Sequence, residues 1–272
     1  MAKTAVAVKE DAKLPVSFAG FEDFAGAGLE DVSADDLSVP FLRILAQLSP
    51  QVNKRDGAYI DGAEAGMIFN TVANEVYNGE EGILVVPCYY NLRYVEWKPR
   101  EKGGGYVGSY DADHKIVSQT YKDDRSGKDI LPNGNVLEKT AQFFVLMLHP
   151  EMGPQRCLIT MTASQLKKAR KWVTQMQSLT AKGSRGVFTL PMMSQVYRIK
   201  TVAEQNDKGN WFGWDVSRVG PLDMETDEAD YFHMGMAFSQ SIRAGEVKVK
   251  EEHSSDQGHS TNHTDTSDDI PF

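Results

Sequence analysis

A mainly β fold with helices is what this sequence predicts, on three observations. Apolar, β-rich runs occupy residues 82–98, 141–148, 156–161, 191–204 and 210–219, each of strand length or more. Turn compositions separate them, as at Asn206-Asp207-Lys208-Gly209. Two further stretches repeat their apolar residues at three- and four-residue steps, the mark of one-sided helices.

Taken in order, residues 1–36 are small and polar, with acidic pairs at Glu22-Asp23, Glu30-Asp31 and Asp35-Asp36. They predict a disordered acidic arm in which Phe18, Phe21 and Phe24 are candidate anchors. Residues 37–81 are expected to form a helix and hairpin extension that packs on the core. Val39, Leu42, Leu45 and Leu48 recur at three-residue steps before Ser49-Pro50, which predicts the helix. The main domain spans 82–220. Its longest run, Gly82 to Lys98, predicts a long strand in which Pro87 calls for an edge position or a bulge. Gly103-Gly104-Gly105 marks a hairpin loop, and the polar residues 111–135 an inserted loop or small hairpin. After the strands at 141–148 and 156–161, Thr162 and Gln165 stand at capping-box spacing and open a helix to about Leu179. Its stripe is Leu166, Ala169, Val173 and Met176, with Lys167, Lys168, Arg170 and Lys171 largely opposite. Two more strands complete the domain. A C-terminal helix within 221–245 presents Tyr231, Met234, Phe238 and Ile242 and stops at Gly245. Residues 246–272 predict a disordered acidic tail. Reduced to order, the main domain reads strand, strand, strand, helix, strand, strand. That is the order of the OB-fold, a five-stranded β-barrel whose strand faces and loops bind oligonucleotides. The expected architecture is therefore an OB-fold with an N-terminal extension, an inserted loop and a C-terminal helix.

The net charge of −9 argues against an anionic partner until its distribution is read. Residues 85–220 carry 20 Lys+Arg against 12 Asp+Glu, while the flanks carry 9 against 26. A basic body between acidic ends suits an electrostatic nucleic-acid site. Only Cys88 and Cys157 occur, each within an apolar run. That pattern supports neither zinc nor a disulfide framework and fits a reducing cytoplasm. No apolar run is long enough to span a bilayer, so no membrane partner is expected.

The chain ends in Asp268-Asp269-Ile270-Pro271-Phe272 after some twenty residues without an aliphatic or aromatic side chain. Two carboxylates, two large apolar side chains and a terminal carboxylate on an aromatic residue suit a docking peptide for a basic, apolar pocket. These five residues resemble the acidic tip of the single-stranded DNA-binding proteins (SSB family) of bacteria and their phages. The long N-terminal extension and the added C-terminal helix make a bacteriophage member the nearer likeness. The resemblance implies a bacterial cytoplasmic location during infection. It also implies recruitment of replication and repair partners, such as polymerase, primase, helicase or nuclease, through Asp268, Asp269, Ile270, Pro271 and Phe272.

Single-strand binding needs aromatic platforms for bases and cations for phosphates along one groove. Tyr89, Tyr90, Arg93, Tyr94, Trp97, Lys98 and Arg100 supply that mixture on the long strand, followed by Lys102 and Tyr106 around the glycine loop. In a regular strand Tyr90, Tyr94 and Lys98 share one face and Tyr89, Arg93 and Trp97 the other, and the sequence does not choose between them. Arg198, Lys200, Trp211 and Trp214 form a second cluster on the last two strands. No nucleophile elbow, zinc-protease motif or nucleotide fingerprint occurs. The expectation is a non-enzymatic protein without cofactor or metal that binds single-stranded DNA irrespective of sequence, protects it and recruits partner enzymes in replication, recombination and repair. Two alternatives stay open: a strand-annealing recombination mediator, and an adaptor that captures host enzymes through the tail without binding DNA. The terminal helix and residues 111–135 are candidate contacts of a homo-oligomer.

Overall fold

The structure is a computed structural model that describes residues 38–207 and 209–247, together with Gly20, residues 22–24, residues 26–31 and Val249. Its strands in chain order are β1 (Phe41–Ile44), β2 (Ile68–Asn70), β3 (Glu75–Tyr77), β4 (Ile83–Trp97), β5 (Tyr106–Tyr110), β6 (Tyr121–Lys122), β7 (Asp129–Ile130), β8 (Val136–His149), β9 (Gly153–Thr162), β10 (Thr180–Gly183), β11 (Gly186–Thr189), β12 (Gln195–Asn206) and β13 (Gly209–Pro221). Helix α1 (Leu166–Ser178) lies between β9 and β10, and α2 (Glu228–Arg243) follows β13. One mixed sheet runs β13-β12-β4-β8-β9-β1-β2-β3, with β5 added to the distal half of β4 and the β6–β7 hairpin joined to β8. Every pairing in it is antiparallel except β1 with β9. The expected mainly β fold with helices is therefore present, as a mixed sheet curled into a half-barrel.

Alternation along β4 and β8 decides the layers. Val85, Phe143, Val145, Met147, Cys157 and Ile159 face the concave side, where Ala169, Trp172 and Met176 of α1 complete the inner core. Trp172 stacks on Phe143 at 4.2 Å and meets Tyr197 edge-on at 5.5 Å. Val86, Cys88, Phe144, Leu146 and Leu158 face the convex side and are covered by α2 through Phe238. Burial pushes both thiols, Cys88 and Cys157, up to about 12, so both stay protonated and unreactive at neutral pH.

The curl brings the two ends of the sheet together. Past β3, the Gly79 carbonyl accepts from Thr201 N–H of β12 at 2.9 Å, and the Thr201 hydroxyl donates to the Gly66 carbonyl. Any side chain at Gly79 would collide with both Gly66 and Thr201. Phe212 of β13 lies across Gly66 in the same seam.

Two local expectations need correction, and a third is met. The helix expected over 37–48 is strand β1, because Phe41 and Leu42 are buried in opposite layers, outer and inner, as only extended backbone allows. Pro87 meets both expectations: the β12 pairing of β4 ends at Val85, so at Pro87 only β8 lies alongside, and the register slips between Pro87 and Tyr89. Gln165 does not close a capping box. Its amide accepts from Trp214 N–H at 2.9 Å and donates to Glu204 at 2.9 Å, tying the start of α1 to the last two strands.

Candidate nucleic-acid interface

The two faces of β4 have different fates. Tyr90 lies on the concave side, packed on Phe143 at 5.0 Å, and Leu92 joins the same core. Tyr94 continues that face outward beyond the core. Lys139, its cross-strand partner on β8, sits 5.8 Å from the Tyr94 ring centroid. Tyr89, Arg93 and Trp97 occupy the convex face, and each is already engaged. Tyr89 packs on Phe144 with the Arg243 guanidinium over it at 5.7 Å. Arg93 is ion-paired to Asp111 and donates to Ser109, both to its hydroxyl at 3.1 Å and to its carbonyl at 2.9 Å. Trp97 is buried, edge-on to Tyr106 at 5.9 Å. As a base-stacking platform Trp97 is thus corrected: its ring is part of the packing of the arm.

Beyond Trp97 the chain forms an arm, with β5 on β4 and the 111–135 insertion folded against β8. Glu96, buried at its base, accepts from Asn135 at 2.6 Å, Tyr110 at 2.8 Å and Asn133 at 3.1 Å. Burial works to raise the Glu96 carboxyl, but these three donors outweigh it and hold it below the usual carboxylate range. Tyr110 is correspondingly pushed up to about 12, first by donating to Glu96 and then by burial. Lys102 donates to the Asn133 carbonyl at 3.0 Å, whereas Lys98, Arg100 and Tyr106 are exposed.

The second predicted cluster lies elsewhere. Arg198 pairs in register with Leu84 and Tyr94 with Lys139, ten residues further along β4. At a strand rise of about 3.3 Å per residue Tyr94 and Arg198 stand roughly 30 Å apart along β4, with Tyr89 and Tyr90 between them. Arg198 donates to the Glu81 carbonyl at 3.1 Å, and Lys200 is half-buried opposite Asp215. Trp211 donates to Glu204 at 2.7 Å. Trp214 is 3% exposed within the inner core, which corrects its assignment as a stacking residue.

One feature of this surface escaped the reading of the sequence. From residue 152 to residue 203 there are nine Lys+Arg and no Asp or Glu. That segment is β9, α1, the β10–β11 hairpin and most of β12. On α1 and the hairpin, Lys167, Arg170, Lys171, Lys182 and Arg185 are exposed, and among the described residues no carboxylate pairs with them. Lys168 alone is neutralised, paired with Glu204 and donating to the Trp214 carbonyl at 2.6 Å. Burial works to raise the Glu204 carboxyl. Donors from Lys168, Trp211 and Gln165, with the Lys168 charge, outweigh it and leave it below the usual range. Within 85–220 the mixed charges of the arm mask this stretch; its sequence signal is the absence of any carboxylate from 152 to 203.

Among the described residues no group of three His, Cys, Asp or Glu side chains is placed to hold a metal ion. Asp111 instead pairs with Arg93, His114 stacks on Tyr110 at 4.8 Å, and Asp123 accepts from Ser126. No helix among them is long and apolar enough to cross a membrane. The expected docking residues Asp268, Asp269, Ile270, Pro271 and Phe272 lie outside the described residues.

The structure is thus a mainly β protein whose exposed α1 and hairpin cations Lys167, Arg170, Lys171, Lys182 and Arg185 have no carboxylate partner among the described residues. The chain belongs to the family described as Pam3 phage gp34-like protein, whose model matches residues 9–248. No curated protein and no solved structure matches the chain.

Proposed function

We propose that this protein is a non-enzymatic, sequence-independent single-stranded DNA-binding protein of a bacteriophage, of the SSB type, that recruits replication and repair enzymes through its acidic C-terminal tip. The observation that carries the reading is the carboxylate-free segment, which keeps a basic face on a chain of net charge −9. Anions are drawn to that face while the acidic flanks repel them elsewhere.

The topology supports an OB-type barrel beneath it. β4, β8 and β9 are consecutive antiparallel strands, and β12 returns after α1 to lie beside β4. The spatial order β12-β4-β8-β9 is that of a Greek key, on which OB barrels are built. Two additions depart from the plain form: β1 extends the sheet beyond β9, and α2 covers the convex side of β4 and β8. With that face covered, phosphate contacts fall to α1 and the hairpin, and Tyr94 with Lys139 continues the concave face outward.

Full-length protein titrated with labelled oligo-dT, the matched duplex and oligo-U across a salt series tests the reading. The expected result is binding to the DNA single strand that weakens steeply with salt, with the duplex much weaker. Equal oligo-U affinity redirects the reading to RNA, and absence of binding to any of the three overturns it. Deleting residues 251–272 is expected to tighten oligo-dT binding at low salt, because a competing polyanion is removed.

A further inference from the structure

The β10–β11 hairpin contributes nothing to either core. Its strands pair only with each other, and it is fastened at its base by Leu190 N–H donating to the Leu179 carbonyl at 2.8 Å. Every residue from Lys182 to Thr189 is exposed, including Val187 at 72% and Phe188 at 48%. An isolated two-stranded hairpin is marginal in water, and exposing a phenyl ring on it gains the fold little. The ring nevertheless lies against the hairpin's own backbone. Phe188 lies across Gly183, where a Cβ would come within 3.1 Å of the ring Cε1, so glycine lets the phenyl rest against the backbone. The side of the ring away from Gly183 faces out. Arg185 forms the exposed two-residue tip with Ser184, and Lys182 stands on the opposite face of the hairpin from Phe188, with Val187.

We propose that this hairpin is a single-strand-binding finger, in which Phe188 stacks on one unpaired base and Arg185 holds the adjacent phosphate. The inference rests on the single-strand reading above and names a contact within it. A ring packed on one side and open on the other is what base stacking uses. The occupant is anionic because the hairpin sits within the segment that has nine cations and no carboxylate.

The test measures labelled oligo-dT binding by fluorescence anisotropy with full-length wild type, Phe188→Ala, Phe188→Trp and Arg185→Gln, with thermal melts as a check on folding. Phe188→Ala is expected to weaken binding about tenfold, within the range for loss of one stacked base. Phe188→Trp is expected to retain affinity and to gain a fluorescence signal that the oligonucleotide quenches. Arg185→Gln is expected to reduce the slope of log K against log salt by about 0.7, one phosphate contact on a single strand. Wild-type affinity in both Phe188→Ala and Arg185→Gln, with wild type binding normally, overturns the finger and leaves the single-strand reading standing. A change in assembly mass on Phe188→Ala with unchanged oligo-dT affinity assigns the hairpin to contacts between copies and likewise overturns it. Failure of wild type to bind overturns both.

Discussion

The arm and the segment from β9 to β12 carry similar numbers of cations and produce different fields. Between residues 98 and 139 there are eight Lys+Arg and seven Asp+Glu, whereas between 152 and 203 there are nine and none. At the base of the arm Arg93 is absorbed by Asp111, and within it Lys102 is held by a backbone carbonyl and Lys122 stands 3.5 Å from Asp129. On α1 only Lys168 has a carboxylate partner among the described residues. A long-range field depends on charges left uncompensated within about a Debye length, near 10 Å at 0.1 M salt. By that measure the arm is nearly neutral. The aromatic-rich strand that looks most like a nucleic-acid site is thus electrostatically quiet, and the plainer helix is the attractive surface.

The largest expected effect comes from reversing the helix. Lys167→Glu, Arg170→Glu and Lys171→Glu together are expected to weaken oligo-dT binding about 100-fold or more at low salt, with unchanged melting, since all three side chains are exposed. Less than about fivefold loss would break the comparison.

Glu204→Gln separates stability from binding on the same helix. It leaves Lys168 without its counter-charge in a half-buried setting, which is expected to cost about 2 kcal/mol in urea unfolding at pH 7. Oligo-dT affinity should not fall, because the surface gains a free cation. The sign with pH follows from the lowered carboxyl: its contribution is present above the unfolded value near 4.3 and is lost as pH falls through the lower folded value. The variant should therefore lose less stability than wild type between pH 5 and pH 3.

Asp111→Asn releases Arg93 at the base of the arm and should raise oligo-dT affinity about twofold in low salt. The smallest effect is expected from Lys98→Glu, Arg100→Glu and Lys122→Glu in the arm, less than about threefold in the same titration. A loss as large as that of the helix variant would place the arm in the site after all.

The long elements were legible because their patterns are one-sided or continuous: β4, β8, β9, β12, β13 and both helices lie close to where alternation and stripes put them. Strand β1 was not. Val39 packs against the outer cluster, Leu42 belongs to the inner core and Leu45 to a third cluster, so three unrelated burials imitate a helical stripe. The site residues failed for a different reason. Trp97 and Trp214 are aromatic on strands, and strand sequence does not say which face closes over. The bulge after Pro87 also resets the count for every residue beyond it. Cationic residues fared better in aggregate than individually, since sequence reveals charge but not the Asp111 that cancels Arg93.

The seam where Gly79 meets Thr201 has a consequence for how the protein is made. Its hydrogen bond joins residues more than a hundred positions apart, a contact of high order that forms late because a long loop must close first. At about 5–20 residues per second on the ribosome, Gly79 waits on the order of ten seconds for its partner to be synthesised. Until then the Gly79 and Gly66 carbonyls lack the donors that Thr201 supplies. A product truncated anywhere before β12 never gains them, and leaves Ile83, Leu84 and Val85 of β4 without their partner strand. Early termination before β12 is therefore expected to expose that stretch of β4 to pairing with other chains.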